Sequence, residues 1–251
     1  MKALITGASS GIGRSIAIEL SKKGYEIIAV AKDKNKLELL KNDIKNIKIL
    51  SYDLTNSVSC IKLYEDLKNE NIDILVNNAG FGEFGEFENT DLNKELDMID
   101  LNIKAVHILT KYFLIDFKKK NSGYILNVSS SAAFQPGPLM STYYSTKAYV
   151  LRLTTAIYEE LRRDKSNVVV SVLCPGPVRT NFNNIANVKF EIKSVSSDYV
   201  AKYAVKKMFK KKLIIIPTLY MKILVFLNRI LPTKLILKYA YNIQKRKRDS
   251  K

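Results

Sequence analysis

Histidine is almost absent from this chain, and its scarcity limits the chemistry available to it. The only histidine among the 251 residues is His107, which stands in a helix-like stretch without neighbouring ligand-type residues. A histidine-based metal cage or a Ser-His-Asp triad would therefore have to be built around a single imidazole. We expect His107 to serve the fold, and we predict no metal site.

Cysteine is also scarce, with two residues, Cys60 and Cys174, that lie far apart in the sequence. The first residues of the chain do not have the composition of a secretory signal peptide. Two distant thiols in such a chain are not expected to form a disulfide. We therefore expect free cysteines and a reducing, cytoplasmic environment.

Acidic residues are nearly missing from one end of the chain, although the whole sequence has a formal net charge of +17. Residues 202–251 contain fifteen Lys or Arg and one acid, Asp249, which gives +14 and leaves +3 for residues 1–201. A general composition bias would not remove acids from one end only. The C-terminal fifth therefore needs an explanation of its own.

Long uncharged apolar runs are missing from this basic segment as well. No run reaches the roughly 18 residues that a membrane-spanning helix needs, so we expect no transmembrane anchor. Pro232 divides the segment into two short helix candidates, one at about 219–231 and one that follows it. The apolar residues are interrupted by Lys222, Arg229, Lys234 and Lys238.

Short runs rich in Val and Ile alternate with longer segments of helical period along the rest of the chain. This pattern is typical of repeated βαβ units around a parallel sheet, and it predicts an α/β fold. Helices are expected at 12–23, ended by Gly24, and at about 91–119 and 142–163. The predicted strands are 2–6, 26–30, 48–52, 74–77, 124–128, 168–173 and 213–216.

A glycine-rich turn, residues 6–13, joins the first predicted strand to the first predicted helix. Gly7 permits a tight turn, Gly11 lets a phosphate approach the backbone, and Gly13 lets the helix pack closely on the strand. A dinucleotide pyrophosphate would meet the helix N-terminus here. Taken alone, the same pattern also occurs in turns that only connect two elements.

Four motifs in order resemble those of the short-chain dehydrogenase/reductase family. The turn at 6–13 has the form T-G-x-x-x-G-x-G, residues 77–80 read N-N-A-G, Tyr143 and Lys147 form Y-x-x-x-K, and residues 175–180 resemble P-G-x-V-x-T. The resemblance implies a Rossmann-type, doubly wound parallel sheet of about seven strands with helices on both faces. It also implies an oxidoreductase that moves a hydride between nicotinamide and a carbonyl or alcohol substrate.

Cofactor choice depends on the end of the second predicted strand. In the family, an acid that favours NAD falls at the position of Ala31, and the following basic residue is typical of NADP binders. The resemblance therefore implies that Lys32 binds a 2′-phosphate and that the cofactor is NADP(H). Asp33 stands too late in the sequence for the ribose, and a small register error would favour NAD instead. Asp53 and Leu54 resemble the pair that contacts adenine, although Asp53 also suits a turn.

Carbonyl reduction needs an acid close to the carbonyl oxygen, and Tyr143 can supply the proton. The pKa of a free tyrosine is about 10, so a nearby cation that favours phenolate is needed. Lys147 lies four residues on, on the same helical face, whereas the residue four after Tyr144 is Ala148. We therefore predict that Tyr143 and Lys147 act together.

The other predicted site residues come from the family resemblance. Its catalytic serine stands thirteen residues before the tyrosine, which selects Ser130 from the three serines that follow the fifth strand. Asn102 resembles the helix asparagine that organises a water in a proton relay, and Thr180 the residue that contacts the nicotinamide carboxamide. The predicted cofactor contacts are Gly7, Ser9, Ser10, Gly11, Ile12, Gly13, Lys32, Asp53, Leu54, Asn78, Ala79, Gly80, Tyr143, Lys147, Pro175, Gly176, Val178 and Thr180.

A different function class keeps the fold but not the chemistry, namely a cofactor-binding regulator associated with a membrane surface. Such a protein would be free to lose one of the four predicted catalytic residues. This chain retains the complete set of Asn102, Ser130, Tyr143 and Lys147. We therefore favour the enzyme, with residues 1–216 as its catalytic domain and residues 217–251 as a basic amphipathic extension.

The extension leaves three interpretations open. It can bind the anionic inner face of a membrane, cover the substrate cleft, or contact a second subunit, whereas nucleic-acid binding is not favoured. Its apolar content and the loop at 181–196 favour a hydrophobic, acyl-like carbonyl substrate. The family resemblance implies a homodimer or homotetramer through the helices at 91–119 and 142–163. A basic stripe of the second helix is formed by Lys234, Lys238, Asn242 and Lys245.

Overall fold

The computed structural model describes residues 1–180 and 194–249, with side chains as far as Lys245. Seven parallel strands form its central sheet, and each lies within two residues of a predicted strand. In chain order, the strands are β1 Lys2–Thr6, β2 Glu26–Ala31, β3 Ile47–Ser51, β4 Ile72–Asn77, β5 Tyr124–Val128, β6 Val169–Leu173, β7 Val178–Arg179, β8 Val195–Ser196 and β9 Ile214–Ile215. The strands β7 and β8 form a separate pair.

Helices cover both faces of this sheet, as a doubly wound fold requires. Alternate residues of β1 point to opposite layers: Ile5 packs with α1 and α7, and Leu4 packs with α3 and α5. The predicted fold class is therefore confirmed. The α-helices are α1 Gly11–Ser21, α2 Lys34–Glu38, α3 Ser57–Leu67, α4 Leu92–Ile99, α5 Val106–Lys119, α6 Ser141–Arg163, α7 Ser197–Phe209, α8 Leu219–Leu227 and α9 Thr233–Asp249.

The strand order is β3-β2-β1-β4-β5-β6-β9, so the winding of the chain reverses between β1 and β4. In parallel α/β sheets, ligands bind in the crevice outside the carboxyl ends of the strands at such a reversal. The ladders align Ile5 with Val76, Asn77 with Asn127, and Val128 with Leu173. The loops that follow β1, β4, β5 and β6 therefore meet at one edge.

The helix predicted at 91–119 contains a π-helical segment, Asp100–Ala105, between α4 and α5. Helix is therefore continuous through the predicted range, but its middle turns are π-helical. Asn102 lies inside the segment, and its side chain bonds to the backbone of Phe81 on a neighbouring loop. The wider turn accommodates this buried polar contact, and such local π-turns are frequent at functional sites.

Gly24 follows α1 in a left-handed conformation, with a φ of +86°. Tyr25 donates its backbone N–H to the carbonyl of Leu20, and this bond closes the end of the helix. A residue with a Cβ is strained at such a φ, so glycine is the favoured choice. The predicted helix stop at Gly24 is confirmed, although α1 ends slightly earlier, at Ser21.

A buried polar network joins the centre of the sheet to two helices. Asn77 Nδ2 donates to Asn127 Oδ1 at 2.9 Å and to Thr110 Oγ1 at 3.0 Å. Asn127 Nδ2 donates in turn to Thr154 Oγ1 at 2.9 Å. Leaving one such buried group without its partner costs about 1–3 kcal/mol. The network therefore holds α5 and α6 in register with β4 and β5.

The residues that are scarce in the sequence have simple surroundings. Cys60 and Cys174 are both free and buried. His107 is exposed, and its Nδ1 lies 2.7 Å from the hydroxyl of Tyr149, so it links α5 to α6.

Across residues 1–180 and 194–249, no helix is both long and apolar enough to cross a membrane.

Candidate active site

A cavity of about 830 Å³ lies at the carboxyl ends of the strands, where the strand order reverses. Its lining combines the turn after β1, the loops after β4, β5 and β6, the start of α6, and the inner faces of α8 and α9. The predicted cofactor residues all line this cavity except Gly13, which lies behind the turn. The fold therefore brings together side chains from distant parts of the chain.

The glycine turn is shaped so that a phosphate can reach its backbone. Gly7 and Gly11 have φ values of +64° and +54°, which side-chain-bearing residues rarely adopt. A Cβ on Gly13 would lie 2.4 Å from the carbonyl oxygen of Gly7, so the helix can approach the strand only without one. The turn opens into the cavity at the N-terminus of α1, and this cradle fits a dinucleotide pyrophosphate.

Thr6 and Asn78 fasten the glycine turn to the neighbouring loop. Asn78 Nδ2 donates to the carbonyls of Thr6 and Gly7 at 3.0 and 3.1 Å. The hydroxyl of Thr6 accepts the backbone N–H groups of Asn78 and Ala79. The Asn78 side chain thus holds the turn itself. Sequence reasoning included Thr6 in the glycine motif but assigned it no role of its own.

The far side of the turn is closed by the segment that follows β6. A Cβ on Gly11 would lie 3.0 Å from Cγ2 of Thr180, so the two residues are in close contact. Ser131 donates its backbone N–H to the carbonyl of Pro175 at 2.8 Å, which joins the loop after β5 to this segment. The motif at 175–180 therefore lies next to both the glycine turn and the serine loop.

Three charged residues stand where the adenosine end of a dinucleotide would lie. Lys32 Nζ is 2.6 Å from Asp53 Oδ2, and the Lys32 side chain is 78% exposed. The Lys32 hydrogen bond is the main cause of the lowered pKa of Asp53. Asp53 also accepts the backbone N–H of Thr55, so it lines the cavity and shapes the turn at once. Asp33 caps α2 by accepting the N–H of Lys36.

Tyr143, Ser130 and Lys147 meet at the inner end of the cavity. Tyr143 and Ser130 both line the cavity, and the Ser130 hydroxyl lies near enough to the phenol to lower its pKa. Lys147 lies one helical turn below Tyr143, with Nζ 5.8 Å from the centre of the tyrosine ring. Its ammonium donates to the carbonyl of Val128 at 3.2 Å. The predicted tyrosine, serine and lysine are therefore neighbours in space.

Burial controls the ionisation of Tyr143 and Lys147. It raises the pKa of Tyr143 to about 12, since the hydrogen bond from Ser130 lowers the pKa by less than desolvation raises it. Burial also lowers the pKa of Lys147 to about 8. Desolvation penalises the charged forms of both groups, and the assistance that Lys147 gives to the ionisation of Tyr143 stays a prediction.

The serines on either side of Ser130 have different partners. Ser129 donates its hydroxyl to the backbone carbonyl of Lys147 at 2.7 Å and so ties the end of β5 to α6. Ser130 begins a short 3₁₀-helix, Ser131–Phe134, and its hydroxyl accepts the N–H of Ala132 at 3.1 Å. Of the three serines, Ser130 is the one whose hydroxyl affects the pKa of Tyr143.

Asn102 is completely buried and lies behind the cavity wall. Its Nδ2 donates to the carbonyl of Phe81 and to Thr146 Oγ1, and its Oδ1 accepts the N–H of Phe81. A Cβ on Gly80 would lie 2.6 Å from that Oδ1 and 3.3 Å from Lys147 Nζ. The amide therefore anchors the loop after β4 beside Lys147, and its place in a water relay stays a prediction.

The helices α8 and α9 close the substrate side of the cavity. Gln244, only 2% exposed, donates Nε2 to the hydroxyl of Tyr144 at 2.8 Å. Asn228 donates to the side-chain carbonyl of Gln135, and Met221 packs over Gly176. Sequence reasoning missed these residues. Gln244 could have been found from its position, since it shares one stripe of α9 with Ile236 and Ala240.

The loop predicted to select substrates, 181–196, lies outside the described residues except for its last three positions. Of those three, Val195–Ser196 forms β8, which pairs with β7. Ser196 caps α7 by accepting the N–H of Tyr199 at 3.2 Å. The loop therefore ends in a regular element next to the cavity wall.

The chain is similar in sequence to proteins of one family. A family model described as short chain dehydrogenase matches residues 1–189. An uncharacterized short-chain type dehydrogenase/reductase of Sinorhizobium fredii is 35% identical over 190 residues, 73% of this chain and 72% of that protein. The very-long-chain 3-oxoacyl-CoA reductase of Bos taurus is 32% identical over 180 residues, 68% and 57% of the two chains. Eight curated relatives are matched over 57% to 72% of their length.

Solved structures show the same architecture. A short-chain dehydrogenase from Sphingobium yanoikuyae in complex with NADPH superposes with a TM-score of 0.81 at 29% identity, covering 87% of this chain and 88% of that one. A protein from Burkholderia phymatum in complex with NAD superposes with a TM-score of 0.82 over 89% and 91%, and at 22% identity it shows the fold alone. With the family model matching well over half of its length, this chain belongs to the short-chain dehydrogenase family.

Proposed function

We propose that this protein is an NADP(H)-dependent oxidoreductase that interconverts a carbonyl compound and an alcohol. The observation that carries the proposal is that Tyr143, Ser130 and Lys147 line the same cavity. This arrangement puts a proton donor and a second hydroxyl on one wall of a cavity whose other end is the glycine turn. Membership of the family supports the same reaction class.

Each side chain at the inner end has a separate task in the proposed mechanism. Tyr143 donates its phenolic proton to the substrate oxygen during reduction, and Ser130 holds that oxygen in place by a hydrogen bond. Lys147 stabilises the phenolate that results, and Asn102 positions the loop beside Lys147. When bound, the nicotinamide supplies or accepts the hydride.

The cofactor proposal distinguishes NADP(H) from NAD(H) by one cation. Lys32 lies at the adenosine end of the cavity with an exposed ammonium, and Ala31 offers no carboxylate to a ribose hydroxyl. Asp33, which would favour NAD, is engaged in capping α2. Since Lys32 already pairs with Asp53, a 2′-phosphate would compete with that carboxylate for the ammonium.

The proposed substrate is hydrophobic. Much of the cavity wall opposite the glycine turn consists of apolar side chains from α8 and α9, including Leu224, Val225 and Ile236. The related protein from Bos taurus is named for very-long-chain 3-oxoacyl-CoA, which is an acyl carbonyl compound. An apolar wall of this kind favours a long aliphatic or ring-shaped group next to the reacting carbonyl.

The proposal extends to the assembly and location of the protein. Residues 1–216 form the catalytic domain of a cytoplasmic homodimer or homotetramer, in which subunits meet through α4, α5 and α6. The basic extension, 217–251, makes a peripheral contact with an anionic membrane. The cofactor and the substrate bind at the carboxyl edge of the sheet.

A screen for oxidation of reduced nicotinamide tests the proposal. The full chain is mixed with NADPH or NADH and a panel of ketones that runs from small water-soluble compounds to long-chain 3-oxoacyl thioesters. We expect turnover to be fastest with NADPH and the longer substrates. If the protein binds NADPH but reduces none of the carbonyl compounds in the panel, the result contradicts the enzyme hypothesis and favours a cofactor-binding regulator.

A further inference from the structure

The outer face of α8 is apolar, although it points away from the protein. Leu219, Ile223 and Phe226, together with Ile230 just beyond the helix, are each at least half exposed. The inward positions Leu224 and Val225 are apolar as well. An ordinary surface helix has a polar face towards water, whereas both the inner and the outer face of α8 are apolar.

The helix α9 repeats this arrangement along its own surface. One stripe, formed by Ile236, Ala240 and Gln244, is buried against the cavity. The adjacent stripe of Leu235, Tyr239 and Ile243 is also hydrophobic, yet each of these side chains is between 45% and 65% exposed. The apolar surface of α9 is therefore wider than its contact with the protein.

We call this the C-terminal apolar surface: Leu219, Ile223, Phe226, Ile230, Leu235, Tyr239 and Ile243. Residues 219–243 are a tenth of the chain, yet more than half of the large exposed apolar side chains in the described residues lie there. Single exposed apolar residues are normal on a protein surface, but a contiguous group marks an interaction site.

The mouth of the cavity opens through this same region. Five large apolar side chains of the region 219–243 line the cavity and are also more than 40% exposed on the outside. They are Tyr220, Leu227, Leu231, Tyr239 and Ile243. A compound that leaves the cavity on this side therefore passes directly onto an apolar surface.

The charges around the surface indicate its partner. Residues 219–245 contain five cations, Lys222, Arg229, Lys234, Lys238 and Lys245, and no acid. All five side chains are exposed. A second copy of the chain would bring the same cations against them, and like charges oppose such a symmetric contact. Apolar side chains bordered by cations are instead complementary to an anionic lipid surface.

We propose that α8 and α9 dock on an anionic lipid bilayer with the C-terminal apolar surface buried among the acyl chains. The cavity mouth then faces the lipid, and the hydrophobic substrate enters from the bilayer without crossing water. The entry route rests on the proposed function, because it assumes a carbonyl substrate that partitions into lipid. The docking itself does not depend on turnover.

Vesicle flotation tests the docking. The full chain is mixed with vesicles of phosphatidylcholine alone or of phosphatidylcholine with phosphatidylglycerol. The double variant Ile223→Glu/Phe226→Glu changes two residues that do not line the cavity. Its matched control, Val58→Glu/Ile61→Glu, has the same spacing on α3, where both residues are also exposed. Fluorescence of bound NADPH checks that both variants are folded.

We expect the wild type and the control to float with the anionic vesicles and the α8 variant to lose at least tenfold in association. A wild type that ignores anionic vesicles at low salt overturns the proposal. An equal loss in the control also overturns it. So does a change in oligomeric state of the α8 variant in sedimentation, because the surface would then be a subunit contact.

The entry route is tested with two ketones, one soluble in water and one dissolved in the vesicles. We expect the α8 variant to lose at least tenfold in kcat/KM for the lipid-dissolved ketone and to stay within twofold for the soluble one. Equal losses would overturn lipid entry. If the wild type reduces neither ketone, the proposed function fails, and flotation still decides the docking.

Discussion

The inner end of the cavity and its C-terminal cover are built by different means. Around Tyr143 and Lys147, hydrogen bonds fix the polar side chains, as in the anchoring of Asn102 to Phe81, of Ser129 to α6 and of Lys147 to Val128. The helices α8 and α9 are instead attached mainly by apolar packing, and hydrogen bonds of Gln244, Asn228 and Lys222 join them to the rest of the protein. Proton transfer needs fixed distances, whereas a substrate wall tolerates adjustment, and the two regions differ accordingly.

The largest expected effect concerns the inner end of the cavity, around Tyr143 and Lys147. Tyr143→Phe removes the proton donor without changing the shape of the cavity, so turnover should fall by about 10²- to 10⁴-fold, the usual contribution of general acid catalysis. Tyr144→Phe is the matched control, since its hydroxyl bonds to Gln244 on the cover. Steady-state kinetics with NADPH checks both variants. Similar losses in the two would contradict the separation between the regions.

Lys147→Met should abolish most of the turnover and yet stabilise the protein. Burial lowers the pKa of Lys147 from 10.5 to about 8, so the folded state binds fewer protons than the unfolded state between these values. The destabilising contribution of Lys147 is therefore complete below pH 8, where it is on the order of 3 kcal/mol, and it is lost as pH rises from about 8 to 10.5. Methionine keeps the length of the side chain and removes the charge.

Thermal unfolding at pH 7 and pH 10 measures this effect. The Lys147→Met variant should be more stable than the wild type at pH 7. The gap between them should close as pH rises. A variant that is less stable than the wild type at pH 7 would show that the hydrogen bond to Val128 outweighs the cost of burying the ammonium.

The next prediction concerns Lys32, at the adenosine end of the cavity. Lys32→Ala should weaken NADPH binding by about 10- to 100-fold, since a hydrogen bond to a charged group contributes about 1.5–3 kcal/mol, and should leave NADH within about twofold. The control is Lys34→Ala, an exposed neighbour that does not line the cavity. Titration by nicotinamide fluorescence gives both affinities. Equal losses for NADPH and NADH would remove Lys32 from the selection of cofactor.

The smallest effect is expected in the basic tail. Deleting residues 245–251 removes five cations and one acid, so association with anionic vesicles should weaken by about tenfold or less at low salt. The difference should shrink as salt rises, because screening does not affect the buried apolar side chains. Flotation at two salt concentrations measures it, and NADPH affinity is the internal control. A loss that does not change with salt would speak against a charge effect.

Local sequence patterns were sufficient for most of the fold. Runs of Val and Ile predicted the strands to within two residues, because a fully buried parallel strand requires continuous apolar residues. Gly24 marked the end of α1 through its conformational freedom. The π-helical segment around Asn102 had no local signal, since it results from a contact with Phe81 on another loop.

The sequence by itself determined which chemical groups the site contains, because Tyr143 and Lys147 are one helical turn apart and the glycine turn depends on local geometry. Only the tertiary structure decided how those groups ionise, since burial comes from elements far along the chain. It also decided that Asn78 holds the turn and that Gln244 reaches Tyr144. Contacts between distant segments depend on how the helices and strands pack together, and the local periodicity of the sequence carries no information about that packing.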